Sequence, residues 1–289
     1  MFKKKKDQTY QSYWSISWNI FKKNKVAMVC LFIVILLCLI ALFAPLIAPY
    51  DPNKQVLTDR LMKPCGQHWF GTDDLGRDIF SRIIYGCRVS LSVGIISQII
   101  ATVIGYTMGV CAGYFGGKVD SVISFLIQVF SSFPFLLFAM AIMFVLGPGL
   151  INLYLALGLL GWASTARLIR GDVMRLKKME YIDACKVSGG NSFRIIMKHL
   201  LPNCLSTLIV TVTLGIPNAI MSEASLSFLG LGVKAPMAIW GSMISFSQPY
   251  IRSATYYSVI PGLAIIITVL AFNMLGDGLR DALDPKLRS

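Results

Sequence analysis

Residues able to do covalent or metal chemistry are few in this chain and widely separated. It has two histidines, His68 and His199, too far apart in sequence to suggest a zinc centre. Its seven cysteines, at positions 30, 38, 65, 87, 111, 185 and 204, include no C-x-x-C pair. Most lie in or beside apolar runs, where cysteine acts as a small hydrophobe. Cys65 and Cys87 are the one pair that could share an outer face and bridge. No Ser/His pair falls within the apolar runs, which argues against an intramembrane enzyme. The run "GYFGGKV" imitates a phosphate loop. However, only "YFG" separates Gly113 from Gly117–Lys118, where a Walker motif needs four residues, and Val119 stands in place of its Ser or Thr. The chain is therefore expected to hold no metal and no other cofactor, and not to hydrolyse ATP itself.

Polar chemistry gathers instead in "EYIDACKVSGGNSFRIIMKHLLPN", Glu180 to Asn203. The spacing predicts two short helices between Arg170 and Asn203. In the first, Tyr181, Ile182, Ala184, Cys185 and Val187 make an apolar strip, with Glu180, Asp183 and Lys186 pointing elsewhere. Gly189 and Gly190 permit a turn closed to other residues, and Asn191 or Ser192 can cap the second helix. That helix is expected to bury Phe193, Ile196, Met197 and Leu200 and to expose Arg194 and Lys198, with Pro202 marking the start of the next element. Two readings fit: a docking knob for a partner, or an amphipathic loop resting on lipid headgroups.

The surroundings of this segment are oily. The chain is 55% hydrophobic and 14% charged, against about 45–50% and about 25% in soluble domains. The excess falls in long uncharged runs, the mark of an integral membrane protein. Six spans follow: Val26 to Pro49; Val89 to Gly117; two within the uncharged stretch Ser121 to Ala166, divided at Gly147–Gly149; Cys204 to about Ser222; and Ser253 to Gly276. The first is much longer than the apolar core of a signal peptide, about 7–15 residues. The fold class expected is all-α, a polytopic membrane protein. The net charge of +13 sits at the ends of the apolar runs and makes no nucleic-acid footprint. With the N-terminus inside, 19 of the 27 Lys and Arg fall on the cytoplasmic side, so both termini are placed there. Tyr10, Trp14, Trp18 and Phe21 share one helical face, as in a helix at the membrane interface or an aromatic belt before the first span.

Within the polar segment, "DACKVSGGNSFRIIMKHLLP" resembles the EAA motif of ABC importer permeases. Asp183, Ala184 and Cys185 take the E-A-A places, Gly189 the glycine, and Leu201 and Pro202 the closing pair. Asp for Glu, Cys for the second Ala and His199 for Ile are mild departures. "FGTDDLGRDIFSRIIYGCRVSLSVG" at 70–94, "SEASLSFLGLGV" and "LAFNMLGDGLRDALDPKLR" are similar to stretches of the dipeptide, oligopeptide and nickel branch, specifically its second, C-type permease. The resemblance covers about Trp18 to the C-terminus. It implies the six-helix type I ABC importer permease fold, and it favours the docking reading, with Glu180, Asp183, Ala184, Cys185, Gly189, Leu201 and Pro202 coupling to a cytoplasmic ATPase. The implied organisation is a cytoplasmic segment at 1–25, a transmembrane domain at 26–276 with an outer loop at about 50–88 and a coupling segment at about 170–203, and a cytoplasmic tail at 277–289. Implied partners are a homologous second permease, two ATPases carrying ATP and Mg, an extracytoplasmic substrate-binding protein and membrane lipid. Short peptides are the expected cargo, with nickel or another chelated metal the alternative.

Other polar positions carry their own expectations. Thr72 or Asp73 can cap a helix beginning near Asp74, and Asp78 with Arg82 forms an i,i+4 pair. Asp73, Asp74, Arg77 and Asp78 then offer a binding-protein contact or an outer gate, or simply shape the loop. Glu223 stands near the outer end of span five as a gating or packing candidate. Asn273 is expected to bond to a neighbouring helix. Gln98, Thr102, Gln128, Ser131, Thr211 and Asn218 are pathway or packing candidates. Relatives carry an Arg and an Asp three residues apart after the "GYFGG" turn, where this chain has Phe125 and Gln128. An ion-coupled carrier acting alone is the rival class. Such carriers need ionisable relays at the midplane, for which Glu223 is the sole candidate.

Overall fold

The computed structural model describes residues 13–284, so Tyr10, the Trp14 side chain and residues 285–289 lie outside it. The described chain is helical, with no strand beyond an isolated bridge between Thr72 and Asp78. The helices are α1 (Tyr13–Lys23), α2 (Lys25–Leu42), α3 (Ala44–Ile47), α4 (Ile79–Phe115), α5 (Gly117–Ser132), α6 (Phe135–Leu146), α7 (Leu150–Leu176), α8 (Glu180–Val187), α9 (Ser192–Ile195), α10 (Leu201–Phe228), α11 (Trp240–Ser247) and α12 (Thr255–Leu283). The loop at 48–78 lies at one end of the bundle, and the α8–α9 hairpin lies at the other.

Helices α2, α4 and α12, and the continuous run Ser192–Phe228 through α9 and α10, are each long and apolar enough to cross a membrane. Helices α5 and α6 form a fifth, bent unit. Helix α7, with 27 residues, extends ~40 Å, enough for a sixth crossing. The bend departs from the sequence expectation of one straight span before Gly147. Helices α5 and α6 meet at 91°, because Pro134 forces the preceding Phe133 into extended backbone, with ψ 138°. Helix α4 begins at Ile79, ten residues ahead of the expected start of span two. Its cap is Asp78, whose Oδ2 accepts from the Ser81 amide at 2.7 Å, so neither Thr72 nor Asp73 fills that role.

The most extensive helix pairing joins α4 to α7. Gly105, Gly109 and Gly113 repeat every four residues and so share one face of α4. A Cβ on them would stand 2.6 Å from Thr165 Cβ, 2.7 Å from the Ala166 carbonyl oxygen and 2.9 Å from the Arg170 carbonyl oxygen. The two backbones thus touch, the arrangement small residues allow between helices in lipid. Polar ties close the hairpin end of this seam. Lys177 Nζ donates to the Tyr114 carbonyl at 2.5 Å, and Arg170 grips Asp120 of α5 with Nε–Oδ1 2.5 Å and Nη2–Oδ2 2.7 Å.

All cysteines among the described residues are free. Cys65 is exposed and Cys87 is buried with its thiol facing the Leu37 carbonyl at 3.5 Å, so these two do not pair. Replacing Gly109 with Leu should force α4 and α7 apart and lower the unfolding free energy by about 1–3 kcal/mol. Thermal unfolding of the purified protein in detergent measures this, and an unchanged midpoint would contradict the seam.

Candidate functional site

Two features converge at the hairpin end: the hairpin itself and the end of a long cleft. Helix α8 finishes in a Schellman turn. The Gly190 amide donates to the Cys185 carbonyl at 2.9 Å and the Gly189 amide to the Lys186 carbonyl at 3.0 Å. Gly189 has φ +80°, and a Cβ on Gly190 would lie 2.6 Å from Cys185 Sγ. Both glycines are therefore needed, one for its backbone angle and the other for space. Asn191 caps the next helix, its Oδ1 accepting from the Arg194 amide at 2.8 Å.

The hairpin is anchored through Ile182, Ile195 and Leu200, all buried, with Cys185, Ile196 and His199 half-buried beside them. This corrects the expected strips. Phe193 is 72% exposed and Met197 46%, while Tyr181, Ala184 and Val187 also face outward. The sequence is apolar on two faces here, and the inward face falls on 195, 196, 199 and 200, a strip that excludes Phe193 and Met197. Glu180 and Asp183 are exposed, Asp183 paired with Lys186 at 2.7 Å. His199 Nε2 lies 3.6 Å from Cys185 Sγ. The second helix does not stop at Pro202. A π turn, Ile196–Leu200, carries α9 into α10, its extra residue accommodating the proline, which has no amide to donate. Leu201 and Pro202 open α10, and Pro202 also borders the cleft.

The cleft has a volume of about 1470 Å³ and runs between α7 and α10, with α4, α6 and the end of α12 contributing. Its middle is lined by neutral polar groups, among them Gln98, Thr165, Thr211 and Asn218. Gln98 Nε2 donates to Thr102 Oγ1 at 3.2 Å and to the Thr211 carbonyl at 3.5 Å, in space that the bare Gly215 leaves open.

Residues 102–289 match the family described as binding-protein-dependent transport system inner membrane component, and residues 12–64 match the N-terminal TM domain of oligopeptide transport permease C. The chain belongs to this transport-permease family. Among similar proteins, the dipeptide transport system permease protein DppC of Bacillus subtilis is 46% identical over 278 residues, covering 96% of this chain and 87% of that protein. The oligopeptide transport system permease protein OppC of the same organism is 42% identical, covering 96% and 91%. The glutathione transport system permease protein GsiD of Pectobacterium atrosepticum is 41% identical, covering 98% and 95%. Among solved structures, a chain of the inward-facing MetNI methionine ABC transporter superposes with a TM-score of 0.57 at 19% identity, covering 71% of this chain and 98% of that one. The fold is that of an ABC importer permease subunit, embedded in the membrane.

In this permease the loop residues singled out from sequence form a buried lock rather than a contact face. Asp73 is fully buried. Its Oδ1 accepts from the Leu75 and Arg77 amides, each at 2.9 Å, and its Oδ2 from Arg77 Nε at 2.6 Å. Arg82 stands 3.5 Å from the same Oδ2 and donates to the Pro52 carbonyl at 2.8 Å. The expected Asp78–Arg82 pair is therefore not made: Asp78 caps α4 and bonds His68 Nδ1 at 2.9 Å. With Arg77 and Asp78 also buried, these side chains cannot meet a binding protein. Only Asp74 keeps part of its surface, and it accepts from Tyr257 at 3.0 Å.

The pathway candidates divide. Gln98, Thr211 and Asn218 line the cleft, whereas Gln128 is exposed on α5 away from it, and Thr102 and Ser131 also lie off its wall. Phe125, like Gln128, is exposed. Glu223 is fully buried against α11, where Gly241 approaches its Oε1 and Ser227 donates to it at 2.5 Å. It does not line the cleft, and its Oε2 is buried without a hydrogen-bond partner among the described residues. Asn273 is half-buried and makes no side-chain hydrogen bond among the described residues, so the expected bridge to a neighbouring helix is absent. Sequence reading missed Asp172, Arg175 and Arg280 as cleft residues. Read linearly, they are merely charges at the ends of spans, and only the packing of α7 and α12 on α10 brings them to one opening.

Asp73→Ala would leave Arg77 and Arg82 buried without their counter-charge, at a cost of about 3–5 kcal/mol. Thermal unfolding and limited proteolysis of the loop should both report the loss. A variant as stable and protease-resistant as the parent would return Asp73 to a contact role.

Proposed function

We propose that the chain forms half of a translocation pathway for short peptides in an ATP-binding-cassette importer of the cell membrane. The observation that carries this reading is the hairpin: a glycine turn anchored by three buried residues, presenting Tyr181, Val187, Phe193 and Met197 outward beside the cleft opening. Exposed apolar side chains on a rigid polar knob suit a partner groove better than water. Two cytoplasmic ATPases, holding ATP and Mg, would seat this knob and drive the switch between outward and inward access, while this chain binds no cofactor. A homologous second permease would close the open side of the cleft, and an extracytoplasmic binding protein would deliver cargo at the 48–78 end. The distribution of Lys and Arg supports cytoplasmic termini. The names of the relatives quoted above, dipeptide, oligopeptide and glutathione permeases, support peptide as the cargo.

Gly189→Val tests the coupling. A β-branched residue at φ +80° adds about 1–2 kcal/mol of strain, which shifts a docking equilibrium about tenfold. Peptide uptake into proteoliposomes should fall by about that factor while membrane insertion is unchanged. In parallel, a crosslinker at Ala184→Cys should capture the ATPase. Wild-type uptake by the valine variant, or crosslinks to lipid alone, would defeat the reading.

A further inference from the structure

Charge is distributed unevenly along the cleft. Its ionisable lining residues, Asp172, Arg175, Arg280 and Asp284, all lie at the hairpin end, and the middle offers hydrogen bonds without charge. Asp172 is already engaged: Thr207 Oγ1 donates to its Oδ2 at 2.5 Å, and Arg175 Nη2 approaches its Oδ1 at 3.3 Å. Arg175 spends one of five N–H donors on that contact, and its side chain is 67% exposed. Arg280 reaches the same opening from α12 and makes no side-chain hydrogen bond among the described residues. Two guanidinium groups with donors to spare, one of them paired with Asp172, thus border the same opening, which Asp284 also lines. A guanidinium with free donors suits a carboxylate, which arginine binds through two parallel bonds.

We propose that Arg175 and Arg280 form a carboxylate-accepting exit site that receives the C-terminus of a peptide as it leaves the uncharged middle of the cleft. This rests on the peptide-permease reading and adds a chemical requirement to it: a free carboxylate on the cargo. Neutral groups in the middle do not distinguish side chains, so the pathway can pass varied peptides, and the shared carboxylate is what the exit recognises. Asp172 acts as a positioning residue that aims Arg175.

The test uses the whole importer, permease pair with ATPases, purified without binding protein and without ATP. Equilibrium binding of a fluorescent tripeptide acid is compared with that of its C-terminal amide, for the parent and for Arg175→Gln/Arg280→Gln. The parent should prefer the acid by about tenfold, the scale of a charged hydrogen-bonded contact, and the double variant should bind both forms equally. Arg175→Lys/Arg280→Lys should restore part of the preference. Equal binding of acid and amide by the parent, no binding of either, or an undiminished preference in the glutamine variant would each overturn the proposal. So would a variant that keeps the preference but loses its ATPase subunits, since the arginines would then serve assembly. Failure of the underlying reading is separable, because an importer that moves no peptide into ATP-loaded proteoliposomes fails before exit chemistry is asked about.

Discussion

Backbone contact between α4 and α7 is the constraint on which the rest of this permease depends. Three glycines on one face of α4 bring the helices close enough that carbonyl oxygens replace side chains as packing surface. Lipid gives apolar helices little reason to prefer one another over acyl chains, so close van der Waals fit must hold the pair. Once α7 is fixed against α4, its other face becomes the wall of the cleft, and its last turn is placed where Lys177 can close off the Tyr114 carbonyl. The hairpin follows directly, with Ile182 and Ile195 packing into the cluster that α4 and α7 share.

At the far end of α4 a different kind of force does the fixing. Asp73, Arg77 and Arg82 are taken out of water together: Asp73 binds Arg77 and lies 3.5 Å from Arg82 Nε, which makes no hydrogen bond among the described residues, while Arg82 Nη1 donates to the Pro52 carbonyl. Tyr256 and Tyr257 of α12 reach into the same loop, donating to the Met62 carbonyl and to Asp74, each at 3.0 Å. The long loop is thus part of the folded body, tied to both α4 and α12. The loop at one end and the hairpin at the other thus close off the two ends of the helical body.

Much of this was legible in the sequence wherever one physical rule acted alone. Uncharged runs located the spans, because charge is costly in hydrocarbon. The paired glycines located the hairpin, because no other residue fits that turn. Legibility failed where several residues could satisfy the same rule. Thr72, Asp73 and Asp78 can each cap a helix, and only burial of Asp73 with two arginines decides for Asp78. Phe193, Ile195, Ile196, Met197 and Leu200 make α9 and its continuation apolar on two faces, so periodicity could not select the inward one. Pro134 was an available signal for the bend, overshadowed by the stronger Gly-Pro-Gly turn downstream. The charged end of the cleft left no linear trace, since α7 and α12 border one opening only in the folded chain.

The π turn before Pro202 has a mechanical consequence. Because it joins α9 to α10 without a break, Ser192–Phe228 is a continuous helical run of 37 residues, ~55 Å long, with Pro217 inside it. On the other arm of the hairpin, residues 177–179 leave the helix before α8 begins. The hairpin is therefore joined to α7 through a non-helical link and to α10 through unbroken helix. The α10 wall of the cleft is thus continuous with the hairpin, while the α7 wall is held against the glycines of α4.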